Sequence, residues 1–463
     1  MLIGEADEAR RAYGADEIEN PLTVGIIKNG GDRTAGAGVI DLDYLLGQNG
    51  GHLNVNGAAG RGTKSSFLLF TIYQLLREAR RRATDRPSDP NPLMIAPIIL
   101  NVKNYDLFFI DQRSRRFAPD KHLADWRAIG VDDPQPFQNV VFYAPQMPGG
   151  NITVATGRDG TRAYSWSLAD VIERGLLPYL FADEDTSNDN FSALLLDLEA
   201  RLTDERNEND GTVTRRLRSG TGIQTFQELL DWVSLKDNRE NLPGHAPGTW
   251  LKFRRRLLKL VLEGNGVLRR FDRNGAPLDV VTAETRDPIV IDLNALARTP
   301  SLQRFVVATI LRQLIEARTG AQAVRGLVYL VALDELNRFA PRGSRDPITR
   351  LIETVAAEMR SQGIILLGAQ QQASKVSETV IENSAIRALG CSGSLELSQP
   401  VWRFLSDGAR RKAATLPVTE KLIVQDNFRE PMQTRVPFPV WAMRREEALA
   451  EQTTPRQDDI ADF

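Results

Sequence analysis

The chain has 463 residues, 42% hydrophobic and 25% charged, with a formal net charge of −2. That is enough for two or three domains around a large core, and the near-neutral balance argues against a surface that coats nucleic acid along its whole extent. It does not exclude a motor gripping a backbone through a few residues in a channel; no apolar run approaches the ~18 residues of a membrane span. The acidic, arginine-bearing N-terminus does not resemble a signal peptide, and one cysteine, Cys391, rules out an internal disulfide and fits a cytoplasmic location. Three scattered histidines (His52, His122, His245) leave no His/Cys zinc constellation.

In chain order, residues 1–20 are charged and read as a short helix or an arm. Thr23-Val24-Gly25-Ile26-Ile27 reads as a strand closed by Asn29-Gly30-Gly31-Asp32, and the stretch from Val39 to Leu46 leads on from it. Leu53-Asn54-Val55-Asn56 is then a short strand, Gly57-Ala58-Ala59-Gly60-Arg61-Gly62 a glycine-rich turn, and Thr63-Lys64-Ser65-Ser66 the entry to a helix. That order suits a phosphate cradle. Backbone N–H groups curl around an anion, a lysine bridges the outer phosphates, and the hydroxyl after it reaches Mg²⁺. The register is irregular: Ala58 and Thr63 stand where G-x-x-x-x-G-K-[ST] has its glycines, and Gly57, Gly60 and Gly62 fall elsewhere. An ordinary glycine-rich strand-to-helix turn is the alternative. No other lysine is expected to share the phosphate role of Lys64.

The helix after Ser66 ends in Arg77, Arg80, Arg81 and Arg82 before Pro87 and Pro90; arginines there complement the helix dipole, a DNA-binding patch being the other reading. Ile95-Ala96-Pro97-Ile98-Ile99-Leu100-Asn101-Val102 and Val140-Val141-Phe142-Tyr143-Ala144-Pro145 read as buried parallel strands. From about 165 to 270 the spacing turns helical, with residues 203–219 expected as a polar loop. The basic helix from Trp250 to Leu260 has either a solvated face or one for nucleic acid or a neighbouring subunit. Strand character returns at Pro288-Ile289-Val290-Ile291-Asp292-Leu293, followed by a helix from Ser301 to Arg318.

The stretch Gly326-Leu327-Val328-Tyr329-Leu330-Val331-Ala332-Leu333-Asp334-Glu335 is an apolar strand that delivers two carboxylates to a sheet edge. Alone, an ion pair or a helix cap explains such a pair as well. After a Lys-Ser turn, it matches the two carboxylates that hold Mg²⁺ and polarise water in P-loop ATPases. A helix over 348–360 and the strand Gly363-Ile364-Ile365-Leu366-Leu367-Gly368-Ala369 follow. At its tip stand Gln370-Gln371-Gln372.

These stretches together resemble ATPases of the HerA/FtsK superfamily, HerA-type hexameric DNA translocases above all. The family's DE-A-H-R-F-x-P pattern is echoed by Asp334-Glu335-Leu336-Asn337-Arg338-Phe339-Ala340-Pro341, and its G-R-K-x-G-I…T-Q-R-P stretch by Met359-Arg360-Ser361-Gln362-Gly363-Ile364…Gln370-Gln371-Gln372-Ala373. Closing strands are echoed from Leu416 to Val424 and from Arg435 to Pro439. Asn101-Val102-Lys103…Asp106-Leu107 resembles a subgroup with an N-V-K-G-x-D-L motif and a Thr-Lys-[Ser/Thr] phosphate loop. Met359, Asn104, Gln372 and Ala373 depart from the family pattern.

The resemblance implies an α/β, RecA-like P-loop fold: a central, mainly parallel sheet flanked by helices, plus a helical insertion. The expected division is a short N-terminal segment (1–50) with the family's β-barrel reduced or absent, core (51–160), insertion (161–275), core with closing strands (276–443) and tail (444–463). By resemblance, ATP and Mg²⁺ are the cofactors. Residues 57–66 cradle the nucleotide, with Lys64 on the β/γ-phosphates, and Ser65 and Asp334 hold the metal. Glu335 is the general base, Gln371 the polar sensor, Arg360 an arginine acting near a subunit interface and Arg342 a basic position near nucleotide. The implied protein is a homo-hexameric ring moving along double-stranded DNA with a separately encoded nuclease or effector, in end processing or antiphage defence, and with no membrane partner. An ATPase scaffold that regulates an effector without translocating is the alternative. A conjugation-type export ATPase is a third reading, disfavoured by the compact length and the lack of a membrane-targeting segment.

Overall fold

The computed structural model describes residues 6–28, 34–47, 50–58, 63–104, 106–148, 154–207, 213–240, 242, 244–264, 266–281, 287–320 and 324–448. Ala59, Gly60, Arg61 and Gly62 of the expected phosphate loop lie outside the described residues, as does the side chain of Thr63. The strands are β1 (Pro21–Lys28), β2 (Thr34–Asp41), β3 (Leu53–Asn56), β4 (Met94–Asn101), β5 (Val141–Pro145), β6 (Arg162–Tyr164), β7 (Thr203–Asn207), β8 (Val213–Leu217), β9 (Ile289–Asp292), β10 (Leu327–Leu333), β11 (Ile364–Gln370), β12 (Ile386–Leu389), β13 (Glu420–Gln425) and β14 (Met432–Arg435).

Among the described residues, twelve strands form one sheet in the order β2-β1-β14-β13-β12-β3-β11-β10-β4-β9-β5-β6. From β12 to β6 neighbouring strands run parallel. The other edge, built from both ends of the chain, is antiparallel. Parallel strands need a crossover and cover on both faces, which explains their continuous apolar runs. β10 shows the consequence: Tyr329, Val331 and Leu333 share a core with the Pro300–Thr319 helix and with residues of the 164–268 segment, whereas Val328, Leu330 and Ala332 pack with Phe67 and Phe70 of the Thr63–Asp85 helix. The N-terminal residues thus extend the same sheet as β1 and β2. No helix among the described residues is long and apolar enough to cross a membrane.

Two sequence expectations change. The expected polar loop holds the β7–β8 hairpin, in which Asp204 faces Arg216 and Glu205 faces Arg215; Arg215 also pairs with Glu205 and Glu199, both at 3.2 Å. Cross-strand charge, rather than apolar alternation, holds this ribbon. The last closing strand ends at Arg435 instead of running on to Pro439, because Pro437 and Pro439 have no N–H for the ladder. Of the arginines after Tyr73, Arg81 and Arg82 serve their own helix by pairing with Glu78, and Arg81 also with Asp85, while Arg77 donates to the Gly130 carbonyl. In the Pro247–Glu263 helix, Lys252 and Arg256 clamp the buried Asp185 at 2.9 and 3.0 Å. Of the expected tail, residues 444–448 dock beside Ser114 and Arg115; residues 449–463 lie outside the described residues.

His52 fixes the entry to β3. Its Nδ1 accepts from the Leu366 N–H at 2.9 Å, so the proton sits on Nε2, which donates to the Ala356 carbonyl at 2.9 Å. Burial, reinforced by the nearby Arg360 charge, lowers its pKa to about 4. The folded state therefore favours the neutral ring. Its stabilisation is full above the unfolded pKa of 6.5 and is lost as pH falls through about 4. The loss is expected to reach about 3 kcal/mol. Denaturant melts at pH 7 and pH 4 should show it; His52→Ala should be less stable at pH 7 and less pH-dependent.

Candidate functional site

The C-terminal tips of β3, β10, β11 and β4 open on one cleft of about 720 Å³, the place where open α/β sheets bind ligands. Lys64, Ser65, Lys103, Asp334, Glu335 and Gln371 line it. Lys64 and Ser65 lie in the first turn of the Thr63–Asp85 helix, where unpaired backbone N–H groups favour an anion. Ahead of them, Ala58 N–H donates to the Cys391 carbonyl at 2.7 Å, tying the start of the loop to the end of β12. Ser66 also lines the cleft, while Gly57 packs against Gly390.

Ser65 Oγ donates to Asp334 Oδ2 at 3.0 Å, and Asp334 Oδ1 accepts from Glu335 N–H at 2.8 Å. Glu335 itself is in the left-handed region, with φ 56. A non-glycine residue there is strained, and the side chain of this one reaches both Lys103 and Gln371. The turn after it is held by close packing: a Cβ on Gly368 of β11 would stand 2.6 Å from Leu336 Cδ2. The Glu335 side chain, in a residue only 6% exposed, pairs with Lys103 and accepts from Gln371 Nε2 at 3.4 Å. Burial pushes its carboxyl up, but Lys103, Gln371 and Lys64 together hold it below the usual glutamate range. The group is thus a buried, ionised carboxylate. Behind Gln371, Gln370 and Asn54 form a reciprocal amide pair at 2.6 and 3.2 Å that locks the β11 and β3 tips in register.

Lys103 is a contact that its motif alone did not reveal. Asn104, where the resembling subgroup has glycine, adopts φ 57, the left-handed conformation asparagine tolerates best after glycine. Its N–H donates to Asn294 Oδ1 at 3.1 Å, and Asn294 N–H donates to Asp292 Oδ1 at 2.7 Å. The β9 tip thereby holds the loop that presents Lys103. The cleft also contains Lys421, from β13. Lys64 therefore does not stand alone, contrary to the sequence expectation: the antiparallel edge of the sheet brings in a lysine from near the other end of the chain.

Two expected residues are not brought here. Arg342 pairs with Glu378 on the surface, outside the lining of the cleft. Arg360 lies in the Met359–Gln362 turn, before β11 begins. Seven residues of strand separate the turn from the Gln371 end, and they span roughly 23 Å. The Arg360 turn packs instead on Gly47 and Gly51 at the opposite edge of the sheet.

No family model matches the sequence, and no curated protein matches it either. Solved structures do. VirB4 of Thermoanaerobacter pseudethanolicus aligns over 91% of this chain and 97% of its own, with a TM-score of 0.52 and 14% identity. The plasmid coupling protein TrwB in complex with the non-hydrolysable ATP analogue ADPNP aligns over 96% and 95%, at 0.55 and 12%. The unbound bacterial conjugative coupling protein TrwBΔN70 aligns over 97% and 96%, at 0.54 and 11%. The architecture is thus the RecA-like P-loop fold. That is the fold expected from the motifs' resemblance. Identity this low carries the fold and no further.

Proposed function

We propose that the chain is a Mg²⁺-dependent ATPase that assembles into a hexameric ring and works as a motor on duplex DNA, beside a separate nuclease or effector chain. One observation carries the ATPase reading: Lys64, Ser65, Asp334, Glu335 and Gln371, drawn from three segments of the chain, converge on one cleft at the strand tips. TrwB, of the same fold, has been solved with ADPNP and with ADP and Mg²⁺. Ser65 Oγ and Asp334 Oδ2, 3.0 Å apart, form the hard oxygen pair that suits Mg²⁺, with Asp334 holding it directly or through water. The ion, when bound, neutralises charge developing on the phosphates. Lys64 and the first-turn amides hold the phosphates, and Glu335 takes the proton of the attacking water. Gln371 and Lys103 fix the direction of that carboxylate.

Lys64→Ala is expected to weaken ATP binding on the order of a hundredfold or more, the range for removing one partner of a buried charge pair. Titration with a fluorescent ATP analogue measures this; undiminished affinity would move the phosphate site elsewhere. The DNA part of the proposal rests on the family resemblance of the motifs, together with the shared fold. Steady-state phosphate release with and without duplex DNA tests it.

A further inference from the structure

We infer that Lys421 is a second phosphate-binding lysine, and that the cleft takes a polyphosphate between it and Lys64. The inference deepens the reading of the cleft as a nucleotide site and rests on it. Lys421 is only 3% exposed, yet among the described residues its ammonium donates only to two backbone carbonyls, those of Val418 and Glu420, both at 3.3 Å. Among the described residues no carboxylate pairs with it. Its side chain crosses the end of β12: a Cβ on Gly390 would stand 3.2 Å from its Cε and Nζ and 3.2 Å from the Asn56 carbonyl. The ammonium therefore ends beside the β3 tip, where the phosphate loop begins, and lines the same cleft as the 8%-exposed Lys64.

A buried cation without a counter-ion is costly, and a second cation nearby makes it more so. Burial first, then the Lys64 charge, push the Lys421 ammonium down to about 8, with the Cys391 thiol opposing. Neighbouring Glu420 lies on the other face of β13, where its carboxylate accepts from Gln433. An anion in the cleft would satisfy both lysines at once. A polyphosphate, with charge spread over several oxygens, can reach both.

The test is to titrate wild type, Lys64→Ala, Lys421→Met and Lys421→Arg with mant-ATP and, separately, with inorganic tripolyphosphate, and to record melting temperatures without ligand. Lys421→Met should weaken both ligands by about ten- to a hundredfold, with part of the loss recovered in Lys421→Arg. Its ligand-free melting temperature should stay the same or rise, since a buried charge has gone; a purely structural lysine would lower it. Affinity within twofold of wild type in Lys421→Met, while Lys64→Ala loses binding, would overturn the inference and leave the nucleotide reading intact. Tripolyphosphate binding that depends on Lys421, without mant-ATP binding, would overturn the nucleotide reading and leave the lysine's role standing. Failure of wild type to bind either would overturn both.

Discussion

Arg360→Ala is expected to slow ATP turnover by about 10³–10⁵-fold, the worth of a transition-state arginine, while each subunit still binds ATP normally. The residue sits before β11, at the sheet edge opposite its own cleft, half-buried beside Gly47 and Gly51. The length of β11 separates it from its own cleft, so the expected role requires a nucleotide held by a neighbour. Mixing decides the matter. Arg360→Ala subunits keep an intact cleft, and Lys64→Ala subunits keep an intact arginine; mixed assemblies should recover turnover that neither variant has alone. Absence of recovery in assemblies shown to contain both would contradict action across the interface.

Glu335→Gln should retain ATP and turn it over about 10²–10⁴-fold more slowly, the usual contribution of a general base. The amide keeps the shape and the Gln371 contact but cannot accept the proton. It also removes the charge that pairs with Lys103, so nucleotide should bind at least as tightly as in wild type. Single-turnover phosphate release checks the first point, and equilibrium titration the second. Normal turnover would place the base on another residue of the cleft.

Much of this was legible in the sequence for a physical reason. A strand buried on both faces must be apolar throughout, so β4, β10 and β11 announce themselves. The polar residues that end them, Asn101, Asp334 and Gln370-Gln371, mark the edge that opens on the cleft. β6 and β12, with three and four residues, did not announce themselves: each carries an arginine and lacks the unbroken apolar run or glycine-rich turn that marked the equally short β9 and β3. The β7–β8 ribbon is held by Glu205–Arg215 charge pairing that apolar periodicity cannot see. Lys421 escaped for a different reason. A lysine in an otherwise ordinary closing strand becomes meaningful only when the antiparallel edge folds it against Gly390 and the β3 tip. Lys103 stood in a motif, but its contact with Glu335 depends on the left-handed turns at both Asn104 and Glu335.

The most direct test is steady-state phosphate release from ATP by wild-type protein in Mg²⁺, with and without duplex DNA, against Glu335→Gln as the blank. The motor account predicts turnover that requires Mg²⁺, rises when duplex DNA is added and disappears in the variant. Mg²⁺-dependent turnover that duplex DNA does not raise would contradict the motor, and wild-type turnover indistinguishable from the variant would contradict the ATPase reading as well.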